Sequence, residues 1–145
     1  MQILHKEMQD QLQRERQKRS KAMEHNPAVW FEIYVEDMKR AKSFYEGLLD
    51  VALEEAKMEG VDMWIFPHDI SKTGATGALI KHEMRPPNIH GTLVYFSVPD
   101  CGERRAWALA EGRPVFVPKM DIGEHGFIAI IGDSEGNSIG LHSMV

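Results

Sequence analysis

One pattern occurs twice in this chain. Residues 29–37 alternate apolar and polar side chains and run into Asp37, and residues 93–100 do the same into Asp100, 63 positions later. Alternation with a period of two marks a strand. An Asp directly before a helical pattern marks an N-cap. Short β-rich segments follow each helix, so the repeated unit is β-α-β-β-β. Each copy has a single helix to cover its sheet. The two copies must therefore pack together, and that arrangement places a pocket between them.

The first copy predicts a strand over 28–35, a helix after Asp37, and further strands at 52–58, 61–66 and 75–82. Met38, Ala41, Phe44, Tyr45, Leu48 and Leu49 form the apolar stripe of the helix. Gly77 within the fourth strand implies a bulge or a close backbone approach. Arg85-Pro86-Pro87-Asn88 is the linker between the copies, where paired prolines stop the preceding strand. The second copy predicts a strand at 92–98 and a helix at about 101–111 with Ala106, Trp107, Leu109 and Ala110 inward and Gly112 at its end. Strands at 115–117, 127–131 and 138–143 follow, with turn chemistry at 132–137.

Residues 2–24 lack Gly and Pro and are rich in good helix formers, with a thin stripe of Leu4, Met8 and Leu12. Such a helix cannot bury itself alone. It packs on a neighbouring surface, which includes that of a second subunit, or frays. Met23 is a plausible translation start, which would make the first 22 residues an extension, a dimer arm or an artefact. The domain division is a helical extension over 1–25 and a main domain over 26–145, with modules 28–82 and 92–143.

The 145 residues suffice for one core. Residues 1–25 carry six basic and four acidic side chains, which leaves 11 basic against 18 acidic for the remainder. An acidic main domain argues against a nucleic-acid partner. The basic run from Arg14 to Lys21 is interleaved with Gln and Glu and reads as a solvated helix face. No apolar run is long enough for a membrane helix, and the N-terminus lacks the apolar core of a signal peptide. The single Cys101 precludes an intrachain disulfide. A cytoplasmic protein with neither nucleic-acid nor membrane partners is expected.

The order of elements resembles the vicinal oxygen chelate superfamily, which holds glyoxalase I, extradiol dioxygenases and bleomycin-resistance proteins. The resemblance rests on Trp30-Phe31-Glu32-Ile33 with Val35 and Asp37, Arg40-Ala41, Phe44-Tyr45, Gly77-Ala78-Leu79-Ile80 and Gly91 to Phe96. It continues through Pro118-Lys119, Ile122-Gly123, Gly126 to Ala129, and Asp133 to Asn137 running into Gly140-Leu141-His142-Ser143. The resemblance implies an α+β fold of two βαβββ modules forming an open mixed β-barrel, here with an extra N-terminal helix. It also implies a homodimer and a small organic ligand. Metal enzymes of that superfamily take ligands from the first and last strand of each module. Those positions fall at Trp30, Val94, Gly140 and near 80–82, and Trp, Val and Gly bind no metal. A standard glyoxalase I or extradiol dioxygenase is therefore not expected.

Alternation along the strands sends Glu32, Tyr34 and His142 to the same side as Trp30 and Gly140. Glu32 and His142 form the leading catalytic pair, an acid/base couple for lyase or isomerase chemistry. The competing reading is a structural Glu–His hydrogen bond. The sequence makes no cofactor certain. A divalent metal at a nonstandard site would draw on Glu32, His142 and His82, with His90 as a further candidate. Trp30, Tyr34, Trp64, Val94, Phe96 and Gly140 are the candidate ligand-binding residues, with ordinary core packing as the competing reading for the aromatics. Three functions remain: an enzyme of glyoxalase-like type, a protein that sequesters a drug or metabolite without turnover, and a module whose tail helix and acidic surface serve protein association.

Overall fold

The computed structural model describes residues 1–22 and 26–145, so Met23 and His25 lie outside the described residues. Helix α1 spans Gln2–Ala22. The first module contains β1 (Trp30–Tyr34), α2 (Met38–Leu49), β2 (Glu54–Glu55), β3 (Asp62–Ile65) and β4 (Thr76–Lys81). The second contains β5 (Val94–Ser97), α3 (Cys101–Ala110), β6 (Val115–Asp121), β7 (Phe127–Gly132) and β8 (Ser138–Ser143). Each module is one four-stranded sheet, ordered β1-β4-β3-β2 and β5-β8-β7-β6. The first and last strands of each module pair in parallel, and the other pairings are antiparallel. The duplication therefore extends to topology. The two sheets form a split-open arrangement rather than a closed barrel.

Both helices start as the sequence demands. Asp37 accepts from the Arg40 amide at 3.0 Å, and Asp100 accepts from the Gly102 amide at 2.8 Å. Asp50 ends α2 in the left-handed region, at φ 52°. Gly112 takes φ 82° just beyond α3, and its amide and that of Arg113 close onto the carbonyls of Leu109 and Ala108. The inward face of α2 is Met38, Ala41, Phe44, Tyr45 and Leu48, as periodicity predicts.

The inward face of α3 departs from expectation. Cys101 and Ala108 are fully buried, whereas Ala106 and Ala110 face solvent and Leu109 is 55% exposed. Small side chains let the helix close onto its sheet. Trp107 leans sideways instead, with its ring 5.8 Å from that of Phe44. Gly47 makes room for it, since a Cβ there would lie 2.6 Å from the indole. Strand β2 is shorter than the sequence suggests and β6 longer, with β6 passing Pro118 through irregular register against β7. Proline supplies no ladder donor, which fits an edge strand such as β6.

The core joins the modules. Phe31, Tyr45, Phe66 and Phe96 form a cluster of rings with centroids 5.6–5.8 Å apart. A polar clasp reinforces it. Asp133 accepts from the Tyr45 hydroxyl at 2.6 Å and from the amides of Glu135 and Asn137, both at 2.8 Å. The Glu135 carboxylate reaches into the first module, where it accepts from the Glu36 and Asp37 amides and from the Arg40 guanidinium. Burial alone would push the Glu135 carboxyl up. Arg40 and the Asp37, Ser134 and Glu36 donors outweigh it and hold the group below the usual carboxylate range. Tyr45, by contrast, is pushed well above its ordinary value by burial and by the neighbouring Asp133.

Helix α1 stands apart in character. Ile3, Leu4, Met8 and Leu12 are all exposed, so the stripe buries nothing within this chain. No helix among the described residues is long and apolar enough to cross a membrane.

Candidate ligand-binding cleft

Strand β1 is the edge of its sheet, and its two faces differ. Ile33 is buried and Phe31 packs on the core, whereas Trp30 and Glu32 are exposed and Tyr34 is half-buried. The outward face of β1 borders a cleft of about 400 Å³. Its other walls come from the linker (Pro86, Asn88, Gly91, Thr92), from Val94 of β5, and from Asn137, Ser138 and Ile139 at the start of β8. Both modules therefore contribute, as the duplication requires.

The polar centre of the cleft is Glu32. Its carboxylate accepts from the Trp30 indole Nε1 at 3.3 Å and from the Tyr34 hydroxyl at 3.0 Å. Residues two apart on a strand share a face, so the three side chains stand in a row. The Tyr34 hydroxyl is raised above its usual pKa, first by desolvation and then by its hydrogen bond to Glu32 and the charge of that carboxylate. Arg85 opposes this shift, with its guanidinium 5.7 Å from the Tyr34 ring centroid. Asn137 anchors the end of β1 by donating to the Tyr34 carbonyl at 2.9 Å.

The remaining expected site residues divide by strand face. Val94 and Phe96 share the inner face of β5 with Ile139 and Leu141 of β8. Val94 still reaches the cleft, but Phe96 belongs to the aromatic core. Trp64 pairs with Leu79, packs on the core side, and carries the Lys42 ammonium 4.5 Å above its ring. Strand register thus places Trp64 and Phe96 outside the lining of the cleft that Trp30 borders. Gly140 lies on the outer face, and its space is filled by the ring of Tyr95, which a Cβ there would strike. Tyr95 occupies in the second copy the place that Glu32 holds in the first, so the carboxylate has no counterpart across the duplication.

Glu32 and His142 are not brought into hydrogen-bond contact. The His142 Nε2 lies 2.6 Å from the His125 carbonyl. A carbonyl only accepts, so Nε2 carries the proton. Each member of the expected couple is thus engaged elsewhere. His82 accepts from the Met84 amide through Nδ1 at 3.0 Å, which orders the linker turn, and His90 is exposed in the same segment.

The sequence matches the profile of the Glyoxalase/Bleomycin resistance protein/Dioxygenase superfamily over residues 28–141. The chain belongs to this superfamily. No curated protein matches it. Among solved structures it is similar to a glyoxalase/bleomycin resistance protein/dioxygenase family enzyme from Burkholderia phytofirmans PsJN, with 16% identity, 81% of this chain and 98% of that chain covered, and a TM-score of 0.62. TnmS3, an antibiotic binding protein from Streptomyces sp. CB03234, matches at 23% identity, 83% and 98% coverage, and a TM-score of 0.57. The trypanothione-dependent glyoxalase I of Leishmania major matches at 17% identity, 82% and 87% coverage, and a TM-score of 0.61.

Among the described residues, those of this superfamily member do not fit a three- or four-ligand metal centre. By register the outer-face positions on the first and last strands are Trp30, Glu32, Tyr34, Thr76, Ala78, Ile80, Tyr95, Ser97, Ser138, Gly140 and His142. Only Glu32 and His142 offer a carboxylate or an imidazole. No group of three His, Cys, Asp or Glu side chains gathers to hold a metal among the described residues. Glu32, His82 and His142 are therefore not assembled as the nonstandard site considered from sequence.

Sequence reasoning missed Arg85, Asn88 and Asn137 as neighbours of the site. A signal was present, because a stiff Pro-Pro connection between two modules must pass near the cleft they form.

Proposed function

We propose that this protein binds a small organic molecule in the cleft between its modules and holds it without converting it. The observation that carries this reading is the row of Trp30, Glu32 and Tyr34 along one wall of a cleft of about 400 Å³. That volume lies within the range of small-molecule sites, and its lining mixes aromatic, aliphatic and a few polar groups. An acid/base couple would need Glu32 and His142 within reach of one reacting group, and the two share no hydrogen bond, His142 Nε2 being held by the His125 carbonyl. This favours binding over lyase or isomerase chemistry. The shared fold with an antibiotic-binding protein is consistent with sequestration. A cytoplasmic homodimer completes the proposal.

Screening compound libraries by tryptophan fluorescence, with each hit recovered and weighed by mass spectrometry, tests it. Unchanged ligands are expected, with affinity reduced about tenfold or more by Trp30→Ala, on the scale of a buried aromatic contact. Converted ligands, or hits indifferent to Trp30→Ala, would refute the reading. Sedimentation velocity checks the dimer.

A further inference from the structure

We infer that the ligand of this cleft is an organic cation, a flat ring system bearing a protonated amine or amidine, and that Arg85 is the internal cation it displaces. The inference rests on the cleft reading above and deepens it.

The first support is an inventory of what the cleft has left to offer. Asn137 donates both amide hydrogens, to the Tyr34 carbonyl and to Asp133, and its oxygen accepts from the Asn88 amide. Asn88 Oδ1 accepts from the His90 amide, and the Ser138 hydroxyl donates to the Ile89 carbonyl. Asn137 and Ser138 thereby hold the linker onto the second module, and Asn88 Oδ1 orders the linker itself. Glu32 differs. Trp30 Nε1 takes one site on Oε2 and the Tyr34 hydroxyl one site on Oε1. A carboxylate offers about four such sites, so each oxygen keeps one, both on a group whose orientation is already fixed. Glu32 is the one charged residue in the cleft lining among the described residues. Such a site is complementary to an N–H-bearing cation and repels an anion.

The second support is Arg85. Its guanidinium lies over the ring of Tyr34, whose hydroxyl donates to Glu32, and it forms no ion pair among the described residues. Pro86 and Pro87 follow it directly, and Pro86 itself lines the cleft. The linker thus holds a cation at the rim, on the aromatic face that an incoming cation would use. Trp30, 43% exposed, leaves a second π surface free.

Calorimetric titration of the full chain with three probes of one shape tests this: 1-naphthylmethylammonium, 1-naphthylmethanol and 1-naphthoate. The ammonium should bind about tenfold more tightly than the alcohol, with the carboxylate weakest. Glu32→Gln should bring ammonium and alcohol within about twofold of each other. Arg85→Ala should tighten the ammonium about threefold and leave the alcohol unchanged. Equal binding of all three probes would overturn the cation assignment while leaving the cleft reading intact. Unaltered ammonium affinity in Arg85→Ala would overturn the role of Arg85. If no probe binds at millimolar concentration, the cleft reading falls, and this inference with it.

Discussion

Glu135 joins the two modules, and Glu135→Gln measures how much that junction contributes. The side chain is fully buried and accepts five hydrogen bonds, from the Glu36 and Asp37 amides, two Arg40 nitrogens and the Ser134 hydroxyl, at 2.7–3.0 Å. Glutamine keeps one acceptor oxygen and places an NH₂ where Oε2 received Arg40 Nε. Donor then faces donor, and the charge is gone. Losing one charge-assisted bond costs about 1.5–3 kcal/mol. Arg40 is half exposed and can turn into water, which lowers the penalty of stranding it. The expected loss is about 2–3 kcal/mol, a fall in Tm of about 8 °C for a chain of this size. Urea unfolding should show a lower midpoint with an unchanged m-value. The Glu135 pKa is depressed in the folded state, so its stabilisation is present above the unfolded value of about 4.5 and is lost as pH falls below that. The variant should accordingly lose less stability than the parent on acidification below about pH 4.5. A loss under about 0.5 kcal/mol, or an identical acid limb in both proteins, would refute the assignment of Glu135 as the junction.

Tyr45→Phe should cost about 1–3 kcal/mol in chemical denaturation, because the buried Asp133 loses its 2.6 Å donor. Gly47→Ala should destabilise by about 1 kcal/mol despite the better helix propensity of alanine, since the new methyl meets Trp107; a more stable variant would show that the indole yields freely. Deleting residues 1–22 should change the unfolding free energy by no more than about 0.5 kcal/mol, because the described apolar residues of α1 bury nothing in this chain. A larger change, dependent on protein concentration, would mean that the helix packs on another subunit.

The sequence by itself determined the duplicated βαβββ architecture, because strand alternation, the Asp37 and Asp100 caps and the turn at 132–137 are local signals that do not depend on distant partners. It also placed Trp30, Glu32 and Tyr34 in a row, since the period of a strand fixes which side chains share a face. Tertiary structure decided which face meets what. A shift of one position reverses a strand's faces, and the register of β3 on β4 and of β5 on β8 turned Trp64 and Phe96 toward the core. The same holds for α3, where close approach favoured Cys101 and Ala108 over larger apolar neighbours. Whether Glu32 meets His142 depends on how two modules settle against each other. Such a contact would span more than a hundred residues of chain, and no local pattern records whether it forms.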